Sequence, residues 1–335
     1  MKRLFLLIAL CGSIATAMAQ APERQNWNQG FLLYGNVESV TITHYGLQDK
    51  FGEVIRGDVE YIEYYRFNAV GDVIEEAKYK SDGSLDYKYI YKYDSSGNII
   101  ERASYDSDGP LGWKSIYKYD SSGNMIEEAC CDSDGSLYNK TICKYDSSGN
   151  KIEEAEYHSD GSLLSKSIYK YDSSGNMIEK AFTDYCDSEG PLDWKSIYKY
   201  DTSGNMIESV DYESGSLDGR CISKYDSSGN KIEYAEYNLF DSLLWTVIYK
   251  YDSSGNKIEI AVYTPDCSLS MKYIYKYDSS GNMIEKAWFN SDGSLDRKYI
   301  YKYDSSRNLI EESEYNTEAL IPEYQIEYKI VYRNE

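Results

Sequence analysis

His44 and His158 are the two imidazoles of a 335-residue chain, and they stand in unrelated contexts. Nucleophilic catalysis needs a base and an orienting partner, and the serines repeated in the turns supply neither. Candidate acids such as Glu101, Glu127 and Glu153 recur at one position of a repeating unit. An active site is a single place, so a carboxylate carried by every unit serves the unit. Its expected partners are neighbouring tyrosines or a row of lysines. No catalytic residue is assigned, and the chain reads as no enzyme.

Metal chemistry is equally thin. Asp106-Ser107-Asp108-Gly109 and Asp132-Ser133-Asp134-Gly135 imitate the opening of a calcium loop. The twelfth position, where a bidentate Glu belongs, is Tyr117 or Cys143. Turn formation explains the motif, and no metal or cofactor is expected. Six cysteines follow the first 19 residues: Cys130, Cys131, Cys143, Cys186, Cys221 and Cys267. They fall at unrelated repeat positions, Cys131 and Cys143 replacing Tyr, and lack the spacing of a zinc site. They read as substitutions in an array that needs no bridges.

One position carries a binding signal. Tyr87, Trp113, Trp194 and Trp245 all occupy it, where other copies hold Asn139, Ser165, Gly219, Met271 or Arg297. The fold does not demand an aromatic there, so these four are the candidate ligand-binding residues, suited to stacking on sugar rings or peptide side chains.

The elements that position them repeat. Tyr-Lys-Tyr-Asp-Ser-Ser-Gly-Asn-x-Ile-Glu-x-Ala-x-Tyr begins, with variation, at Tyr65, Tyr91, Tyr117, Cys143, Tyr169, Tyr198, Ser223, Tyr249, Tyr275 and Tyr301. Seven of the nine steps are 26 residues; the others are 29 (Tyr169 to Tyr198) and 25 (Tyr198 to Ser223). Such a period marks units that bury apolar surface against their neighbours. Lys88 to Asp94 alternates with period two and is rich in aromatic and β-branched types, which predicts a strand. Asp94-Ser95-Ser96-Gly97-Asn98 predicts a type I turn with Gly97 at positive φ, and Ile99 to Tyr105 a returning strand. Both length changes fall on the Ser-Asp-Gly side, at Phe182 to Asp187 and Glu213 to Gly215.

Alternation places Trp113, Ser115, Tyr117 and Tyr119 on one face and Lys114, Ile116, Lys118 and Asp120 on the other. A three-residue loop with a bulge at Gly97 puts Glu101, Ala103 and Tyr105 on the face of Tyr91 and Tyr93. A four-residue loop instead sets Glu101 beside Lys92 and Ala103 beside Ile90. Turn chemistry favours the first register.

The expected fold is all-β: an elongated, twisted antiparallel meander of about ten tandem 26-residue β-hairpin repeats. Residues 1–19 read as a signal peptide, with Lys2 and Arg3 before the apolar run Leu4 to Leu10 and Ala17-Met18-Ala19 as the cleavage site. Residues 20–29 read as a flexible leader, 30–64 as an N-terminal β cap, 65–326 as ten repeats and 327–335 as a C-terminal capping strand. Caps are required because an open edge invites aggregation.

The net charge of -21 repels phosphate backbones and anionic lipid, so nucleic-acid partners are not expected. No second apolar run reaches spanning length, so no membrane span is expected. Tyrosine, 38 residues of it, supplies much of the buried area in place of aliphatic chains.

The motif Tyr-x-Tyr-Asp-x-x-Gly-Asn, followed by a second Tyr and Asp-Gly, resembles the YD (RHS-type) repeats of bacterial surface and toxin-shell proteins. It is also similar to the MORN-like hairpin repeats of exported bacterial proteins, over residues 65 to 326. A fainter likeness is to the choline- and glucan-binding repeats of wall-binding modules, whose paired Trp and shorter period are missing. The resemblance implies a β-hairpin scaffold on or outside the envelope. The expected function is a non-enzymatic, exported scaffold (periplasmic, cell-surface or extracellular) for protein interaction or adhesion at the bacterial envelope. The alternatives are a glycan or cell-wall binding module using exposed aromatics, and a hydrolase with a site in the N-terminal cap.

Overall fold

Among the described residues, the stretches of alternating residues in the repeats are extended, and the connections between them are tight turns. A computed structural model describes residues 33–50, 53–107, 109–185, 192–316 and 322–333. The expected signal peptide and leader, and Cys186, lie outside the described residues. The strands are β1 (Val37–Lys50), β2 (Glu53–Phe67), β3 (Val73–Lys80), β4 (Leu85–Tyr93), β5 (Ile99–Asp106), β6 (Leu111–Tyr119) and β7 (Met125–Asp132). Then come β8 (Leu137–Tyr145), β9 (Lys151–His158), β10 (Leu163–Tyr171), β11 (Met177–Asp184), β12 (Leu192–Tyr200), β13 (Met206–Glu213) and β14 (Ser216–Tyr225). The remainder are β15 (Lys231–Asn238), β16 (Leu243–Tyr251), β17 (Lys257–Tyr263), β18 (Leu269–Tyr277), β19 (Met283–Asn290), β20 (Leu295–Tyr303), β21 (Leu309–Asn316) and β22 (Pro322–Tyr332).

The turn after β4 forms as its residue types require. Asp94 Oδ1 accepts from the backbone N–H of Ser96 at 2.8 Å and of Asn98 at 2.9 Å, while the Asn98 side chain donates to Asp94 Oδ2 at 3.0 Å. The Gly97 N–H bonds the Asp94 carbonyl and the Asp94 N–H bonds the Asn98 carbonyl, with Gly97 at φ 86°. This is the three-residue loop with a glycine bulge that the sequence predicts.

The register it was expected to impose is wrong. Tyr93 pairs with Ile99, but Lys92 pairs with Glu101, so the ladder skips Ile100. A second bulge therefore follows the first and turns the rest of the returning strand over. Glu101, Ala103 and Tyr105 lie beside Lys92, Ile90 and Lys88, on the lysine face. The same shift recurs in each hairpin from β2–β3 to β20–β21; β6–β7 and β8–β9 show it again.

A hydroxyl completes the bulge. Tyr93 Oη donates to the Val73 carbonyl at 2.6 Å, Tyr119 Oη to Ile99 and Tyr145 Oη to Met125 at 2.8 Å. Tyr171, Tyr200, Tyr225, Tyr251, Tyr277 and Tyr303 make the equivalent bond one hairpin further on each time. Each acceptor is the first residue of a bulged strand, beyond the last backbone pair with the next hairpin, so the phenol satisfies a carbonyl that the ladder leaves over. Phe67 holds this position in β2; there the ladder between β1 and β22 makes the matching skip after Val37, and the Arg333 guanidinium, not a phenol, donates to the Val37 carbonyl at 2.9 Å.

The expected open meander is also corrected. Each strand pairs antiparallel with its sequence neighbours, and β1 pairs with both β2 and β22, so the 22-stranded sheet closes into a barrel with no helix among the described residues. The segments expected to cap opposite ends cap each other. Val40 pairs with Tyr65 on one side and Ile330 on the other, and Ile42 with Glu63 and Tyr328. Closure removes both free edges, which a long antiparallel sheet otherwise presents as templates for association.

The core lies at this seam. Val37, Val40, Ile42, Tyr65, Phe67, Tyr301, Leu309, Ile326 and Tyr328 form one buried cluster with Leu33 against it. Val40 and Ile42, on the tyrosine face, are 0% and 1% exposed. A single-layer sheet buries aliphatic side chains so completely on the side around which it curls, so the tyrosine face is the inner one. The last turn clips the N-terminal segment to the seam. Asn308 accepts from Tyr34 N–H at 2.6 Å and donates to the Tyr34 carbonyl at 3.0 Å, and Arg307 reaches Ser280 and Asn282 of the turn before.

Candidate functional site

The two faces have different chemistry. On the lysine face, Glu127 takes Lys118 of its own hairpin at 2.8 Å and Lys140 of the next at 3.0 Å. Glu153 does the same with Lys144 and Lys166, Glu179 with Lys170 and Lys195, and Glu285 with Lys276 and Lys298. Hydrogen bonds from these lysines hold the Glu127, Glu153 and Glu179 carboxyls below the usual carboxylate range. The repeated glutamates thus bridge hairpins, as expected of residues that serve the unit.

This face is nearly the same in every copy. Ile90, Ile116, Ile142 and Ile168 hold one row, and Glu75, Glu101, Glu127 and Glu153 another. The tyrosine face keeps Tyr93 and its equivalents but diversifies elsewhere. The row of Arg102 also holds Glu128, Glu154, Lys180, Ser209, Tyr234, Ile260 and Lys286; that of Ser104 holds Cys130, Glu156, Phe182, Asp211 and Trp288.

The four aromatics singled out from sequence all lie on this varied face, near the Ser-Asp-Gly rim. Tyr87 and Trp113 are brought together through Tyr89, with ring centroids 5.4 and 6.0 Å apart, and the Arg102 guanidinium sits 4.4 Å from the Tyr89 ring and 5.2 Å from Trp113. Trp194 is 38% exposed and stacks on Phe182 at 5.4 Å. Trp245 pairs with Glu236 on β15. At about 4.8 Å per strand, Trp113 and Trp194 are about 29 Å apart around the sheet, and Trp194 and Trp245 about 19 Å. The four form no single pocket.

His44 stacks on Tyr61 at 3.9 Å and its Nε2 is buried without a partner. Burial, helped by Lys78, lowers its pKa to about 4, so it is neutral near pH 7. His158 closes β9 opposite Asn139. The five described cysteines are free thiols, and among the described residues no three His, Cys, Asp or Glu side chains converge as metal ligands.

Sequence reasoning missed a concavity on the outer, lysine face. About 620 Å³ of open space is lined by Ala181, Thr183, Asp193, Lys195, Ile197 and Tyr212 of this face, and by Phe182, Trp194 and Gly215. The pairings Ala181 with Lys195 and Lys195 with Tyr212 put these alternate residues on one face. The two irregular repeat steps, 29 and 25 residues, were the available signal.

The fold and its faces define a closed all-β array of tandem hairpins. A family model described as Protein of unknown function (DUF2963) matches residues 79–129, 133–181 and 263–314, together less than half of the chain, and no YD or MORN model matches. Each match spans about two repeat lengths. No curated protein matches. Among solved structures, the crystal structure of TcdB2-TccC3 aligns at 13% identity and TM-score 0.28, covering 80% of this chain and 19% of that one. The chain thus spans about a fifth of that protein's length. A porin-like protein from Bacteroides uniformis aligns at 11% identity and TM-score 0.32, covering 89% and 98%. Neither alignment is close enough to transfer a function.

Proposed function

We propose that the protein is an exported, non-enzymatic scaffold that binds a protein partner at the bacterial envelope through the varied tyrosine face, which a segment of the partner reaches by entering the barrel. The supporting observation is the contrast between faces. Residues that hold hairpins together repeat almost unchanged on the lysine face, whereas the inner face changes type from copy to copy within the same backbone. Tyr and Trp on a rigid sheet supply contact area at low entropic cost, and Ser and Arg add hydrogen-bonding groups. A test is capture of envelope proteins on immobilised protein, with Arg102→Ala and Trp113→Ala as the disabled form. Equal capture by both forms would refute this reading.

A second reading, glycan or cell-wall binding, is favoured by the exposed, stacked Trp194 ring. Glycan-array or wall-retention assays with Trp113, Trp194 and Trp245 changed to Ala discriminate it, since retention that survives those changes removes it.

The proposal places the barrel in water. No helix among the described residues is long and apolar enough to cross a membrane, which says nothing of strands. The strands bear on it directly. Lys118 and Glu127 stand on the outer face of β6 and β7, Glu128 and Arg102 on the inner, and charges at such depths are costly on a lipid-facing surface.

A further inference from the structure

We infer that the concavity between β11, β12 and β13 is a binding site for a neutral sugar ring, independent of the tyrosine face. Two departures from the 26-residue period occur in the array, and they flank this one place. The lengthened connection leads out from Thr183 and back to Asp193; the shortened one follows Tyr212 and ends in Ser214, at φ 48°, and Gly215. A site used once in a repeat protein has to break the repeat, and residues of the strands that flank both breaks, Thr183, Asp193 and Tyr212, line the same space.

The opening also has a side-chain cause. In other hairpins the Thr183 position holds an aromatic ring, as at Tyr79, Tyr105, Tyr157, Tyr237 and Phe289, apart from Cys131, which lies in a hairpin of regular length. Those rings cover the lysine face, with Lys88 5.3 Å from the Tyr105 ring, Lys272 5.5 Å from Phe289 and Arg220 4.9 Å from Tyr237. Thr183 leaves the equivalent volume empty and puts a hydroxyl at its edge. The size falls within the usual range for small-molecule sites, roughly 300 to 1,000 Å³.

The lining fits a polyol better than an ion or a purely apolar group. Tyr212 supplies a ring face and Ala181 and Ile197 an apolar floor for the C–H side of a pyranose. Thr183 donates and accepts, Asp193 accepts, and Lys195 keeps donors beyond the one directed at Glu179, 3.0 Å away. Asp193 and Lys195 offset each other, which favours a neutral ligand.

The test is calorimetric or NMR titration of the full chain with free glucose, galactose, mannose and N-acetylglucosamine. Saturable, weak binding of at least one is expected. Thr183→Tyr restores the residue of the regular copies, so it folds and abolishes binding. Tyr212→Ala weakens binding about tenfold or more, Tyr212→Phe keeps it, and Trp113→Ala on the other face leaves it unchanged. Binding of none of these sugars, binding that survives Thr183→Tyr, or binding lost in Trp113→Ala would each overturn the assignment. Because envelope capture depends on Arg102 and Trp113, failure of one proposal is distinguishable from failure of the other.

Discussion

Tyr119 Oη donates to the backbone carbonyl of Ile99 across adjacent strands at 2.8 Å, and that carbonyl sits at the bulge that reverses the strand. The contact joins the most regular feature of the sequence to the least expected feature of the fold. The last tyrosine of Tyr-Lys-Tyr is kept because each bulge releases a carbonyl that needs a donor.

Tyr119→Phe is therefore expected to destabilise the protein by about 1 kcal/mol, the net worth of one hydrogen bond with its acceptor left behind. Phe67→Tyr should give no matching gain, since Arg333 already donates to the Val37 carbonyl at the corresponding bulge. Urea denaturation of both variants checks this, and equal effects of the two changes would disconnect the hydroxyl from the bulge.

Acid should loosen the lysine face. The Glu127, Glu153 and Glu179 carboxyls lie below their ordinary value of 4.5 because lysines hydrogen-bond their charged forms. A depressed folded-state pKa means that the stabilisation is complete above 4.5 and lost as pH falls through the lower folded value. Glu127→Gln should lower stability near neutral pH by at most about 1 kcal/mol, as for other exposed pairs, and the difference should vanish in acid. Denaturation midpoints across pH provide the measurement.

Glu312 should behave in the opposite sense. Burial, aided by Glu314, raises its pKa, although Tyr328 and Lys286 favour the charged form. A carboxyl with a raised folded-state pKa binds its proton more tightly when folded, so its ionisation costs stability as pH rises through that value. Glu312→Gln is expected to raise the urea midpoint near neutral pH and leave it unchanged in acid. A loss at neutral pH would show that the charged form is the one the site supports.

Arg307 takes the place of the turn glycine in the last copy, at φ 71°. Its guanidinium lies 5.0 Å from the Tyr34 ring and reaches the Ser280 carbonyl at 3.0 Å. Arg307→Gly should relieve about 1 kcal/mol of backbone strain while releasing the segment at Leu33 and Tyr34. Amide exchange at Tyr34 should rise even though global stability changes little. Unchanged protection there would show that Asn308 alone holds the segment.

The strands, the turns and the division into a lysine face and a tyrosine face were legible because each rests on local rules: alternation, Asx chemistry and the positive φ of Gly97. The register was not, because the bulge at Ile99–Ile100 carries no special residue; its signature is Tyr119, twenty positions away. Closure was not legible either. It depends on β1 pairing with β22, a contact between segments that depart from the repeat and share no motif. The four aromatic positions were found, but their separation around the barrel follows from strand order, and the concavity at Tyr212 follows from two length changes whose meeting point only the fold shows.

Closure is the claim on which the inner and outer faces depend, and small-angle X-ray scattering of the full chain tests it most directly. A closed sheet of 22 strands has a backbone circumference of about 105 Å or more, hence a largest dimension on the order of 60 Å with side chains. A maximum dimension in that range, with the pair-distance profile of a hollow body, is the predicted result. An elongated profile extending to about 100 Å, as for an uncurled ribbon, would contradict it.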